Sequence, residues 1–166
     1  MGNEREKISK INLMTQSTYE SLLQEVEVAR RNMQQSLLDI GEAAGSASDW
    51  HDNAAFDHAN IRHDVDSSWL GSIQAKLQDV EIIKPSNNKD KIGIGNSVIV
   101  KFQDEDDEEI FTILGPADSG RNEGWISYES PLGSSLMGKR KGETVTFTIH
   151  DQDQKVKIVN ILPGNF

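Results

Sequence analysis

The chain has 166 residues, of which 36% are hydrophobic and 27% charged, and a formal net charge of −10. That bounds it to one domain or two small ones. It also excludes a basic nucleic-acid binder by bulk charge, since residues 1–83 carry a net −7 and residues 84–166 a net −3. There is no Cys, so disulfide and thiolate chemistry are excluded, and no run approaches the roughly 18 apolar residues of a membrane span.

The first residues, MGNEREKISK, are polar and lack the apolar core of a signal peptide, so the expected compartment is the cytoplasm. Residues 1–13 read as a flexible N-terminal extension. From Met14-Thr15 the chain runs without Pro or Gly as far as Gly41. Tyr19, Leu22, Val26, Ala29, Met33, Leu37, Ile40 and Ala44 recur every three or four residues, a helical stripe of the coiled-coil kind. The step through Met33, Leu37 and Ile40 predicts a stutter. Gly41 and Gly45 loosen the end of this helix.

A second helical pattern begins near Asn53. Its stripe is Phe56, Ala59, His63, Asp66, Leu70, Ile73, Leu77 and Val80, polar in the middle at His63 and Asp66. Ile61, Val65 and Trp69 form an alternative stripe that would share the burial. Two helices of about 30 residues joined by a short loop predict an antiparallel hairpin, each arm roughly 45 Å long. Lys84-Pro85-Ser86-Asn87-Asn88-Lys89-Asp90-Lys91 then reads as a linker.

Beyond it the period changes from 3.6 to 2. Ser97–Phe102, Ile110–Leu114, Trp125–Tyr128, Glu143–His150 and Lys155–Ile161 are predicted strands, with an acidic turn at Asp104–Glu109 and a short helix at Pro131–Met137 ended by Gly138. The fold class is therefore α+β: an antiparallel coiled-coil hairpin over 14–83, a linker over 84–92, and a small antiparallel β domain with one short helix over 93–166.

The chemistry-bearing candidates sit between the two helices, in Ser48-Asp49-Trp50-His51-Asp52-Asn53-Ala54-Ala55-Phe56. Asp49 and Asp52 flank a helix start, where carboxylates serve as caps and favour the positive end of the helix dipole. The other reading is a site for a hard divalent cation such as Mg²⁺, which takes oxygen ligands. Two carboxylates fill only part of an octahedral shell, so such an ion would be shared with a partner. His51, Asp52, Asp57 and His58 raise a zinc alternative, but their spacing matches no standard zinc pattern. The cluster Lys139-Arg140-Lys141 reads as a solvated turn. No phosphate loop, dinucleotide fingerprint or nucleophile elbow is present, which argues against a self-contained enzyme.

The tip followed by the second helix resembles the bacterial Gre transcript-cleavage factors, whose tip reads Gly-Asp-Leu-(polar)-Glu-Asn-Ala-Glu-Tyr. The stretches Trp125-Ile126-Ser127-Tyr128-Glu129-Ser130-Pro131-Leu132-Gly133 and Leu136-Met137-Gly138-Lys139 resemble the C-terminal signature of the same family. The resemblance spans residues 14 to about 162. It implies an FKBP-like C-terminal domain docked at the rim of the RNA polymerase secondary channel, with the coiled coil reaching toward the active centre. It further implies that Asp49 and Asp52 hold Mg²⁺ jointly with RNA polymerase, none being bound by the isolated protein. Asn53 would support them as the polymerase hydrolyses the RNA 3′ end. Trp50, Ser130 and Pro131 become candidate partner-contacting residues, Ser130 and Pro131 also being a plain structural turn into the short helix.

The chain departs from the family pattern at four tip positions. Asp52 stands where Glu is usual, Trp50 where Leu is, Ser48 where Gly is, and Phe56 where Tyr is. Two activities follow from the resemblance: stimulation of cleavage, or inhibition by occluding the channel. A stand-alone prolyl isomerase is a third expectation, since Phe102, Phe111, Trp125, Tyr128 and Phe147 would have to line its pocket. A monomer without membrane association is expected.

Overall fold

The computed structural model describes residues 11–46, 54–103 and 107–166. They fall into two compact units, one within residues 19–78 and the other formed by 11–18 together with described residues of 79–166.

The first unit is the hairpin. Helix α1 spans Gln16–Ser46 and helix α2 spans Ala54–Lys76, roughly 46 and 35 Å long at 1.5 Å per residue. They run antiparallel, because a rising position on α1 meets a falling one on α2. Ser36 Oγ lies 3.2 Å from His63 Nδ1, and Asp39 Oδ2 lies 3.7 Å from Arg62 Nη1. On α2 Phe56, Ala59, His63, Asp66, Leu70 and Ile73 are buried or half-buried, continued by Leu77 just past the helix end, the seam that the periodicity predicts; Asn60 is half-buried beside it. Val80 is not part of it.

On α1 the expected stutter does not occur. The seam runs through Leu22, Val26, Ala29, Met33, Ser36, Ile40 and Ala43, all buried or half-buried in an unbroken four–three alternation, with Thr18, Tyr19, Ser21, Glu25 and Asp39 buried or half-buried beside it. Leu37 is 50% exposed and Ala44 is exposed. Continuing the heptad places a serine in the seam, and its polarity is satisfied there. The Ser36 hydroxyl donates to the Met33 carbonyl at 2.9 Å while His63 approaches from the other helix. The hydroxyl's one proton is thereby committed, so the Nδ1–H of His63 is the donor between them. The alternative stripe does not share the burial either: Ile61, Val65 and Trp69 are 61, 63 and 36% exposed.

The second unit holds a five-stranded curled sheet, ordered β5-β4-β3-β7-β6. Its strands are β3 (Asn96–Phe102), β4 (Glu108–Leu114), β5 (Trp125–Ser127), β6 (Thr144–Ile149) and β7 (Gln152–Pro163). All pairs are antiparallel except β4 with β5. A register shift between Ile99 and Val100 bends β3 against β7. Helix α3 (Pro131–Leu136) closes the core, in which Val98, Val100, Ile113, Leu136, Val156 and Ile158 are fully buried. The predicted acidic turn ends sooner than expected, since Glu108 and Glu109 already pair with Lys101 and Val100.

Two short strands move the expected boundaries. β1 (Asn12–Met14) pairs in parallel with β2 (Val80–Ile82). The flexible extension read over 1–13 is therefore corrected at Asn12 and Leu13, and Val80 belongs to a strand. The segment 84–92 is also less of a linker than its composition suggests. Ser86 N–H donates to Gly95 O, Gly164 N–H donates to Ser86 O, and Ile83 and Ile92 are buried. Asn96 fastens the segment: its amide donates to Ser86 O, Asn88 O and Leu162 O, while its oxygen accepts from Gly93 N–H.

Candidate functional site

The tip candidates Asp49, Trp50, His51, Asp52 and Asn53 lie outside the described residues. The flanking helices are described. α2 opens with Asp57 in its first turn, on the positive end of the helix dipole. Among the described residues no group of three or more His, Cys, Asp or Glu side chains is placed to hold a metal. Asp57 and His58 are both exposed and form no such group with described neighbours.

Near the tip the helix faces are lined by small residues, and a cleft of about 680 Å³ opens over Ala43 and Ala59, walled by Asp39, Glu42, His58 and Arg62. The Arg62–Asp39 pair here is solvent-exposed and contributes little stability. One turn further toward the base lies the polar layer of Ser36 and His63, with Asp66 half-buried beside it.

In the sheet unit, Ser130 and Pro131 build the entry of α3. Ser130 is the N-cap: its hydroxyl accepts from Gly133 N–H at 3.0 Å and donates to Ser127 O at 2.7 Å. Pro131 occupies the first helical turn, where its missing N–H costs nothing. A β-carbon at Gly133 would collide with the Ser127 carbonyl, which is why the segment from Ile126 to Gly133 needs glycine at its end. The basic cluster lies in the turn before β6, where Lys139 Nζ approaches Glu143 at 4.0 Å and Glu143 accepts from Arg140 N–H.

The aromatic residues divide. Phe102 meets Phe111 and Phe147 edge-to-face, with centroids 6.4 Å apart in each case, and all three pack on the core, as does Tyr128. Trp125 instead stacks edge-to-face on Phe166 at 6.2 Å. Phe111 and Trp125 together line an open cleft bordered by Glu108, Glu109 and Glu123.

A cluster that sequence reasoning missed stands at the start of α1. Asp118 is fully buried. Its carboxylate accepts from Thr15 N–H (3.0 and 3.2 Å), Thr15 Oγ1 (2.8 Å) and Gly115 N–H (3.2 Å). Thr15 in turn caps α1, accepting from Thr18 N–H at 3.3 Å. The signal available in the sequence was the turn Gly115-Pro116-Ala117-Asp118, with nothing to say that Thr15 is its partner.

Residues 87–163 match the family model described as transcription elongation factor, GreA/GreB, C-terminal. The transcription elongation factor GreA of Oceanobacillus iheyensis is 29% identical over 155 residues, covering 93% of this chain and 98% of the relative. GreA of Bacillus subtilis is 28% identical over 152 residues, covering 92% and 97%. Among solved structures, GreA factor homolog 1 of Thermus thermophilus is 22% identical, with 89% and 96% coverage and a TM-score of 0.40.

Proposed function

We propose that this chain is a transcription elongation factor of the GreA/GreB family, a reading supported by the family-model match over residues 87–163 and the similarity to GreA proteins over nearly the whole chain, and that it binds RNA polymerase through the secondary channel and stimulates cleavage of backtracked RNA. The observation that carries the reading is the placement of Asp49-Trp50-His51-Asp52-Asn53 between the end of α1 and the start of α2.

The donor set fits Mg²⁺ in part. Asp49 and Asp52 offer hard oxygen ligands, and an octahedral ion needs more of them, which polymerase, RNA and water supply. When bound, the ion would polarise a water and offset charge at the scissile phosphate. The chain's own contribution is geometric. On this reading Asp49 and Asp52 supply the carboxylate oxygens, Asn53 supports them, and the flanking helices set their approach. The protein itself is not the nuclease; the hydrolytic centre belongs to the polymerase.

A second reading has a specific observation in its favour. Asp52 is one methylene shorter than the family's Glu, and Trp50 is bulkier than its Leu. A misplacement of about 1 Å can cost a hundredfold in rate. On this reading the factor occupies the channel and slows the polymerase.

The test is RNA cleavage in a defined backtracked elongation complex, with wild type beside Asp49→Ala, Asp52→Ala and Asp52→Glu. Faster release of a 3′ fragment by wild type, lost in either alanine variant that still binds, supports stimulation. Binding that slows cleavage and nucleotide addition, with activity gained by Asp52→Glu, supports inhibition. Absence of polymerase binding by wild type would refute both.

A further inference from the structure

α2 carries two apolar stripes, and a two-helix hairpin can bury only one. The first is the seam ending in Leu70 and Ile73. The second is Ile61, Val65 and Trp69, spaced four apart, about 12 Å long and about 120° around the helix from the seam. These side chains are 61, 63 and 36% exposed. A helix with two apolar stripes is the pattern of a bundle with a third element, and the described residues contain no such element against this ridge.

Two observations identify what covers it. The ridge offers on the order of 300 Å², given the sizes of its side chains, well short of the roughly 800 Å² per partner of a stable dimer. The hairpin, residues 19–78, also carries 4 Lys/Arg against 10 Asp/Glu, a net −6. Two such hairpins side by side repel each other. Asp57 and Asp64 border the ridge, and Arg62 beside it is already turned to Asp39. The matching surface is apolar at its centre and basic at its rim, and belongs to a larger body.

We propose that Ile61, Val65 and Trp69 are the apolar contact by which the hairpin grips a basic-rimmed wall of RNA polymerase, supplying affinity that the tip carboxylates do not. This rests on the polymerase-binding reading above. The ridge fixes how deeply and at what rotation the hairpin sits, so it positions Asp49 and Asp52 without touching the reacting atoms.

The test is equilibrium binding of the labelled full-length chain to core RNA polymerase, comparing wild type, Ile61→Ser/Val65→Ser and Leu38→Ser. Leu38 is a comparably exposed residue on α1, 57% accessible. The expected result is at least a tenfold loss of affinity for the double variant alone, with thermal unfolding of the free protein unchanged. Ile61→Val/Val65→Ile should retain binding. Unchanged affinity of the double variant for a polymerase that wild type binds would overturn the inference and leave the functional reading standing. Failure of wild type to bind polymerase would overturn both. Self-association of wild type by sedimentation, abolished in the double variant, would overturn it in favour of a second copy.

Discussion

Replacing Asp118 by Ala removes one buried carboxylate and strands three donors. The Thr15 hydroxyl can turn to Thr18 Oγ1 or Ser17 Oγ, each 3.1 Å away. The Thr15 and Gly115 amides cannot move, because both belong to buried backbone. Each buried N–H left without an acceptor costs about 1–3 kcal/mol. Two of them, with no offsetting apolar gain, put Asp118→Ala at about 4 kcal/mol. For a unit of roughly 100 residues this lowers the unfolding midpoint by about 15 °C or more. Asp118→Asn keeps the shape and one acceptor oxygen but turns an NH₂ toward one amide, so about half of the loss is expected. Thermal unfolding gives the total, and hydrogen exchange at the Thr15 amide gives its location. That amide should exchange much faster in Asp118→Ala. A loss below about 1 kcal/mol, or unchanged protection of Thr15, would refute the assignment of Asp118 as the clasp of α1.

Gly115→Ala should be similarly disruptive by another route, since its β-carbon would collide with the Leu13 carbonyl and displace β1; loss of Leu13 and Met14 amide protection would report it. Asn96→Asp should destabilise more than Asn96→Ala, because a carboxylate there faces the Ser86, Asn88 and Leu162 carbonyls; comparing denaturant midpoints tests the order. The neutral His63 ring should be the Nδ1–H tautomer, and ¹⁵N shifts of the ring nitrogens would show it. Ser130→Ala should cost about 1 kcal/mol, the usual value of an N-cap, measured by thermal unfolding of the full chain.

The elements readable from sequence were those whose signal is local. β6 and β7 follow alternation, β3 and β4 follow short apolar runs, α3 follows Ser130-Pro131, and the α2 seam follows its three–four rhythm despite His63 and Asp66. What was missed is non-local. A hydrophobicity reading prefers Leu37 to Ser36, and only the presence of His63 on the other helix reverses that choice. β1 and β2 are three residues each and exist because they pair across a separation of 68 residues, Asn12 with Val80. Val80 even continued the helical rhythm, and nothing near it reveals the strand. The segment 84–91 has the composition of a linker, and it is held by backbone bonds of Ser86 to Gly95 and Gly164 and by Asn96, whose four hydrogen bonds no pattern announces. The tip was legible as residue types and by resemblance to a family, not as geometry.

The two units are stabilised in different ways, and the difference bears on function. The sheet unit is over-determined: a continuous apolar core, the Asn96 staple and the Asp118 clasp each fix it independently. The hairpin is held by a single seam whose apolar content falls along its length. At the base, Leu22, Val26, Leu70 and Ile73 are buried, each contributing about 1.5–3 kcal/mol. Beyond the Ser36–His63 layer the buried positions are Ala43 and Ala59, flanked by the half-buried Ile40 and Phe56 and opened by the Asp39–Arg62 cleft. Alanines bury little area, so the half of the hairpin that leads to Asp49 and Asp52 has the least intrinsic stabilisation. The exposed ridge straddles the Ser36–His63 layer, with Ile61 on the tip side and Val65 and Trp69 on the base side. An element stabilised weakly by its own seam and carrying an unspent apolar stripe gains order when a partner covers the stripe. Under the polymerase-binding proposal, covering the stripe and setting the far end of the hairpin would be one event, decided jointly by the hairpin and the wall it would lie against.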